Sequence, residues 1–225
     1  MRKKVFILFS IIIVIVVGGV FMNYNKVQNV YDGMYYTWEK NRFVETSYTN
    51  VPALRHERIE GIIIPGDIKK SDTLFLSFDD TFLKENTNVD LWVDRQDKTM
   101  RAYCTVHFDG TKMSEDSDEL QLVFYYKEKN KTLIIKPIQA ISNKLIKKYP
   151  EKYEQYEYYS DSESMEMFMR DYSITKKDIE EYKEYFVNEV LIGMWLDGNA
   201  KESRFTRDNV GDFVIQDNLF ENLSE

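Results

Sequence analysis

The side chains best suited to covalent or metal chemistry are scarce in this chain: two histidines, His56 and His107, and one cysteine, Cys104. The histidines sit in different segments, and neither has a second ligand at helix or strand spacing. No His-Glu-x-x-His, Cys-x-x-Cys, phosphate-cradling glycine loop or Gly-x-Ser-x-Gly occurs. Cys104 alternates onto the same side as Ala102, Val106 and Phe108, the pattern of a small buried hydrophobe. Carboxylates do cluster, at Asp79-Asp80, at Asp116-Ser-Asp118-Glu119 and at Asp161-Ser-Glu163. Acid–base catalysis needs two carboxyls whose surroundings separate their pKa values. Calcium needs about six or more oxygens in one place. Neither spacing is present, so these clusters read as solvated turns, and no cofactor or metal is expected.

The elements around these residues alternate first and then turn helical. The segments 58–64, 73–78, 88–94, 99–108, 119–127 and 131–138 have strand character and short links, which predicts an antiparallel meander of five to six strands. Pro137 marks an edge or an end. Residues 140–149 predict a helix closed by Pro150, and 151–166 are acidic and tyrosine-rich, either partly helical or a loop. Thr175-Lys-Lys-Asp178 has the form of a capping box with Asp in place of Glu. It opens the strongest helix, with Ile179, Tyr182, Phe186, Val190 and Met194 as its apolar stripe. A last short strand is expected near Phe213–Ile215. Strands first and helices later predict an α+β fold with helices on one face of the sheet and the other face open and concave.

Period-two alternation then assigns the faces. Leu74, Leu76, Phe78, Val89, Leu91, Val93, Met100, Ala102, Cys104, Val106, Phe108, Leu120, Leu122 and Phe124 point inward. The opposite face holds Phe75, Ser77, Asp79, Asp90, Trp92, Asp94, Arg101, Tyr103, Thr105, His107, Gln121, Val123 and Tyr125, of which Phe75, Asp79, Asp90, Trp92, Asp94, Tyr103, His107 and Tyr125 form an aromatic and acidic set. Aromatic residues are enriched where proteins recognise one another, and a few such anchors carry most of the binding energy. These eight residues are the expected protein-binding site, and the catalytic set is empty.

What this surface meets depends on the amino terminus. Val5 to Met22 is an uncharged run of 18 residues preceded by Arg2, Lys3 and Lys4. It is nearly the ~20 residues that span a bilayer, and the basic start predicts export of the chain beyond it. A cleaved signal peptide is the competing reading, and both place residues 23–225 outside. Expected boundaries are 1–22 for a cytoplasmic stub and anchor, 23–50 for a juxtamembrane segment or short helix, and 51–225 for an extracellular α+β domain. Without the three basic residues of the stub, 27 Lys and Arg face 38 Asp and Glu, a net charge of −11 beyond the anchor. Such a surface repels nucleic acid and anionic lipid heads. With a lone cysteine, the domain has no internal disulfide.

The basic start, the apolar span, "NVYDGMYY", "VPALRHERIEGI", the strand series, "KKDIEEYKEYFVNEVLIGMWL" and "SRFTRDNVGDFVIQDN" together give a chain that resembles the TipC family of immunity proteins. The resemblance implies binding, through a concave sheet, of a secreted LXG toxin of the Gram-positive type VII secretion system. Such toxins of the TelC type degrade lipid-linked cell-wall precursor outside the cytoplasmic membrane. It implies a single-pass protein of the cell membrane with its bulk outside. The alternatives are an exported structural or assembly subunit of a Gram-positive envelope complex, or an envelope enzyme.

Overall fold

The computed structural model describes residues 26–41, 62–63, 73–78, 86–94, 97–108, 117–154, 157–194 and 204–223, with Gly18 and Leu196. The strands begin with β1 (Ile62–Ile63), β2 (Thr73–Phe78), β3 (Thr87–Asp94), β4 (Thr99–Phe108) and β5 (Asp118–Lys127). Then come β6 (Thr132–Ile135), β7 (Gln139–Ile141) and, near the carboxyl end, β8 (Val214–Asp217). The helices are α1 (Val30–Asn41), α2 (Asn143–Lys148), α3 (Ser162–Asp171) and α4 (Lys176–Glu184), the last continuing as a π-helix over Tyr185–Met194. Among the described residues the sheet has eight strands rather than five to six, in the order β1-β2-β3-β4-β5-β6-β8. β7 pairs with the other half of β5. All pairs are antiparallel except β6 with β8.

The antiparallel register follows from the pattern of apolar residues. Val93 lies opposite Met100 and Met100 opposite Tyr126. Leu91, Ala102 and Phe124 form the next row, and Val89, Cys104 and Leu122 the one after. A slip of one residue would turn all of these to the other face. Met100, Ala102, Cys104, Val106, Leu120, Leu122, Phe124 and Tyr126 are all buried. Each large apolar side chain so buried contributes about 1.5–3 kcal/mol relative to exposure.

Three helical segments cover this inner face. α3 contributes Met165 and Phe168, α4 contributes Ile179, and the π-helix contributes Phe186, Val190, Leu191 and Ile192. Phe168 meets Phe108 edge-on at 5.4 Å between ring centres. α4 starts at the expected capping box: Thr175 accepts from the Asp178 amide, and the Asp178 carboxylate accepts from Thr175. Residues 151–166 read from sequence as either helix or loop; α3 begins within them because the Asp161 side chain accepts from the Ser164 amide at 2.9 Å. β7 occupies the head of what reads as one helix from 140, because Ser142 caps α2 so that it begins at Asn143, three residues later than expected.

The other cover is α1, from the segment expected to be juxtamembrane or a short helix. Val30, Tyr31, Met34 and Tyr35 are fully buried in the same core. Asn29 bridges to Gly211, and the Val30 amide donates to the Val210 carbonyl at 2.9 Å. Gly211 has φ +80, and a Cβ there would lie 2.3 Å from the Gln28 carbonyl oxygen, so the close approach needs glycine. Beneath the helix, the buried Asp32 carboxylate accepts from the Tyr126 hydroxyl at 2.7 Å, from the Lys131 ammonium at 2.9 Å and from the Gln28 amide at 2.8 Å. Lys131 also reaches Glu128 at 3.0 Å, and the Tyr36 hydroxyl donates to the same carboxylate. Segment 26–41 is therefore part of the domain, fastened to the β5–β6 turn by charge as well as packing. The apolar run 5–22 falls outside the described residues apart from Gly18. Among the described residues no helix is long and apolar enough to cross a membrane.

Candidate functional site

With the helices on the inner side, the second face is built by register. One transverse row joins Phe75, Trp92, Arg101 and Tyr125. The next joins Ser77, Asp90, Tyr103 and Val123, and a third joins Asn88, Thr105, Gln121 and Gln139. Asp94 aligns with Thr99 and Lys127 at one end, while His107 aligns with Glu119 at the other. Seven of the eight expected contact residues thus belong to one register set, and Asp79 lies outside the described residues.

The two halves of this face differ. Arg101, Tyr103, Val123, Tyr125 and Lys127 are partly exposed. Tyr125 stands between two cations, with the Arg101 guanidinium 5.0 Å and the Lys127 ammonium 5.6 Å from its ring centre. Such contacts are worth about 0.5–1 kcal/mol at exposed sites. Arg101 and Lys127 lie outside the expected contact set, which holds acids and rings alone. Alternation already places Arg101 on this face, and continuing the period of two from Tyr125 adds Lys127. The face therefore carries both signs of charge.

Toward the other end, Gln121 donates to the Thr105 hydroxyl at 3.3 Å and accepts from Gln139. Beyond that ladder His107 is only 6% exposed. Its Nδ1 lies 3.3 Å from the Ser117 hydroxyl and 3.4 Å from the Glu119 carboxylate. The Glu119 carboxylate also accepts from the Ser117 hydroxyl at 2.9 Å and from the Tyr158 hydroxyl at 2.6 Å. His107, expected among the contact residues, is thus buried within a hydrogen-bonded group at the end of the sheet. The group is no catalytic triad either. A triad needs serine and carboxylate on opposite ring nitrogens, whereas here both face Nδ1 and the serine is buried.

Of the acidic clusters, Asp161 and Glu163 are exposed as expected and Asp79-Asp80 lies outside the described residues, but Asp118 and Glu119 do not form a solvated turn. Asp118 is buried and accepts from the Ser142 hydroxyl at 2.9 Å, the Asn143 amide at 2.7 Å and the Tyr172 hydroxyl at 2.6 Å. Asp161 caps α3. Among the described residues no group of three or more His, Cys, Asp or Glu is placed to hold a metal ion. A cleft of about 350 Å³ does open on the helix-covered side, at the α3–α4 turn between Phe108 and Tyr182. Its carboxylates are engaged, Asp178 in the cap and Glu181 with Lys177 at 3.5 Å.

A family model described as TipC immunity protein-like matches residues 2–218. The chain belongs to the TipC immunity protein-like family. The solved structure of TipC2 from Streptococcus intermedius B196 is similar to it with a TM-score of 0.57 and 15% identity. The likeness covers 84% of this chain and 96% of that one, and at such identity it shows the fold. No curated protein matches the chain. As a TipC-type immunity protein, the chain is a toxin-binding protein and not an enzyme.

Within this TipC-type domain, Glu119 ties the sheet end to pH. Burial pushes its carboxyl up, but hydrogen bonds with His107, Tyr158 and Ser117 outweigh burial and hold it below the usual range. A depressed carboxyl contributes stability that is fully present above the unfolded value of ~4.3 and is lost as pH falls through the folded value. Glu119→Gln is expected to lower the melting temperature at neutral pH and to flatten its fall below pH ~4.3. Thermal melts from pH 7 to 3 check this; an unchanged acid slope would show that Glu119 is not coupled to folding.

Proposed function

We propose that this TipC-type protein is held in the cytoplasmic membrane by residues 5–22, with residues 23–225 outside, and that it occludes an exported LXG-type toxin attacking cell-wall precursor. The uncharged run and the preceding Arg2, Lys3 and Lys4 support this topology. The observation that carries the binding reading is the register itself. It gathers Phe75, Trp92, Tyr103 and Tyr125 into adjacent rows, while the helices pack on the opposite side. Aromatic anchors flanked by charges of both signs suit a protein partner, because rings supply contact energy and charges supply register and encounter rate. Confinement to the membrane raises the local concentration of inhibitor where the toxin acts. Occlusion of the toxin requires no chemistry from the inhibitor.

The test is survival. Cells that export the toxin should lyse without this chain and grow with it. A version lacking residues 1–22, made and retained in the cytoplasm at equal level, should fail to protect. Full protection by that cytoplasmic version would overturn the outward topology, whatever surface binds.

A further inference from the structure

We propose that the free edge of β8 pairs with β8 of a second copy, so that two sheets join across a two-fold axis. β8 ends the sheet, with only β6 as its neighbour among the described strands. The Val214 amide donates to the Lys131 carbonyl and the Asn218 amide to the Ile135 carbonyl. Alternation along the strand then turns the N–H and C=O groups of Ile215 and Asp217 away from β6. All four β8 residues are exposed, and Val214 and Ile215, at 62% and 56%, are the exposed large hydrophobic residues among those described. An edge of this kind is a template for another strand, and natural sheets block it with lysine, proline or a bulge. β8 has no lysine or proline, and its one charge, Asp217, is bound by Lys183 at 2.9 Å.

The sequence of the edge selects an identical partner. The outward groups of Ile215 and Asp217, each meeting itself or the other across the axis, allow three centres for an antiparallel pair. Centring on Asp217 sets two carboxylates face to face, which is unfavourable. Centring on Gln216 sets each Ile215 against an Asp217. Centring on Ile215 sets the two isoleucines together, Val214 against Gln216, Phe213 against Asp217 and Asp212 against Asn218, with no like charges opposed. This last register is the proposed one. Its axis runs perpendicular to the sheet, so both helical layers stay on one side and both toxin-facing surfaces on the other. The strand pair is small beside standard interfaces of about 1,200–2,000 Å², so the association is weak and is best captured covalently.

Cysteine cross-linking in membranes holding the full-length protein tests the pairing. Cys104 is completely buried and stays silent. Directly opposed Cα atoms, about 4.5–5.5 Å apart, fall within the disulfide range. Two Asp217 positions in the same dimer are roughly 14–15 Å apart, offset by four strand residues at ~3.4 Å each and by the spacing between the strands. Under mild oxidation Ile215→Cys is expected to run as a reducible dimer and Asp217→Cys as a monomer. Linkage of neither, of both equally, or of Asp217→Cys alone would overturn the proposal. So would linkage of Ile215→Cys to a different protein. Protection is scored separately, and its loss or retention bears on the toxin-binding face rather than on this edge.

Discussion

Asp32→Ala is expected to destabilise the folded domain by about 3 kcal/mol, at the lower end of the 3–5 kcal/mol typical of breaking a buried ion pair. Asp32 has no solvent exposure, and its carboxylate accepts three hydrogen bonds. Its removal leaves the Tyr126 hydroxyl only the longer bond to the Asn29 side-chain oxygen, at 3.2 Å, and the ionisation of that hydroxyl is pushed far above the usual range by burial and then by the Asp32 carboxylate. That phenol remains a donor at every working pH and needs an acceptor. Lys131 retains Glu128 at 3.0 Å, which is why the upper end of the range is not expected. For a domain of this size about 3 kcal/mol corresponds to a fall of roughly 6–12 °C in melting temperature. Removing both charges in Asp32→Ala/Lys131→Met should recover part of the loss, because no buried ammonium is then left underpaired. Urea unfolding measures all three proteins. A loss below about 1 kcal/mol for the single variant would show that the cluster is peripheral to folding.

Trp92→Asp and Tyr103→Asp are each expected to abolish protection while leaving the thermal transition nearly in place. Trp92 lies in the row with Arg101 and Tyr125, and Tyr103 opposite Asp90 and Val123. An interface anchor is worth ~2–4 kcal/mol, so toxin binding should weaken by roughly 30- to 1000-fold at 1.4 kcal/mol per decade. Arg170→Ala, exposed on α3 on the helical side, should leave protection intact. Protection that survives both aspartate variants at equal expression would move the interface elsewhere. Protection lost together with the fold would instead show these residues to be structural.

Local pattern carried a definite share of this architecture. β3, β4 and β5 alternate well enough that their two faces were legible from where the apolar residues fall, whereas the register between the strands was an assumption until the pairing supplied it. Pro137 does separate β6 from β7. The capping box at Thr175 marked α4, although nothing in the apolar stripe distinguishes the π-helix that continues it. What stayed hidden depends on partners distant in the chain. Residues 26–41 resemble a linker, with Gly33 weakening the helix. Asp32 finds Tyr126 and Lys131 some 94 and 99 residues later, which no local window detects. Asp118 and Glu119 look like a solvated loop for the same reason: their partners Ser142, Tyr158 and Tyr172 arrive from later segments. The candidate face was legible as a set of alternating positions. The burial of His107 was not, because it depends on Tyr158 and Glu119 closing over the sheet end.

The join between Asn29 and Gly211 has a consequence for the order in which the molecule is completed. α1 is among the earliest parts of the domain to be synthesised, yet the carbonyl that receives the Val30 amide belongs to Val210. Until those last residues are made, Tyr31 and Met34 have no finished wall to rest against, and Tyr31 lacks its edge-on neighbour Phe213. The domain closes like a ring at its two chain ends, so a ribosome that stops short leaves a first helix with an exposed apolar flank, ready for proteolysis instead of duty.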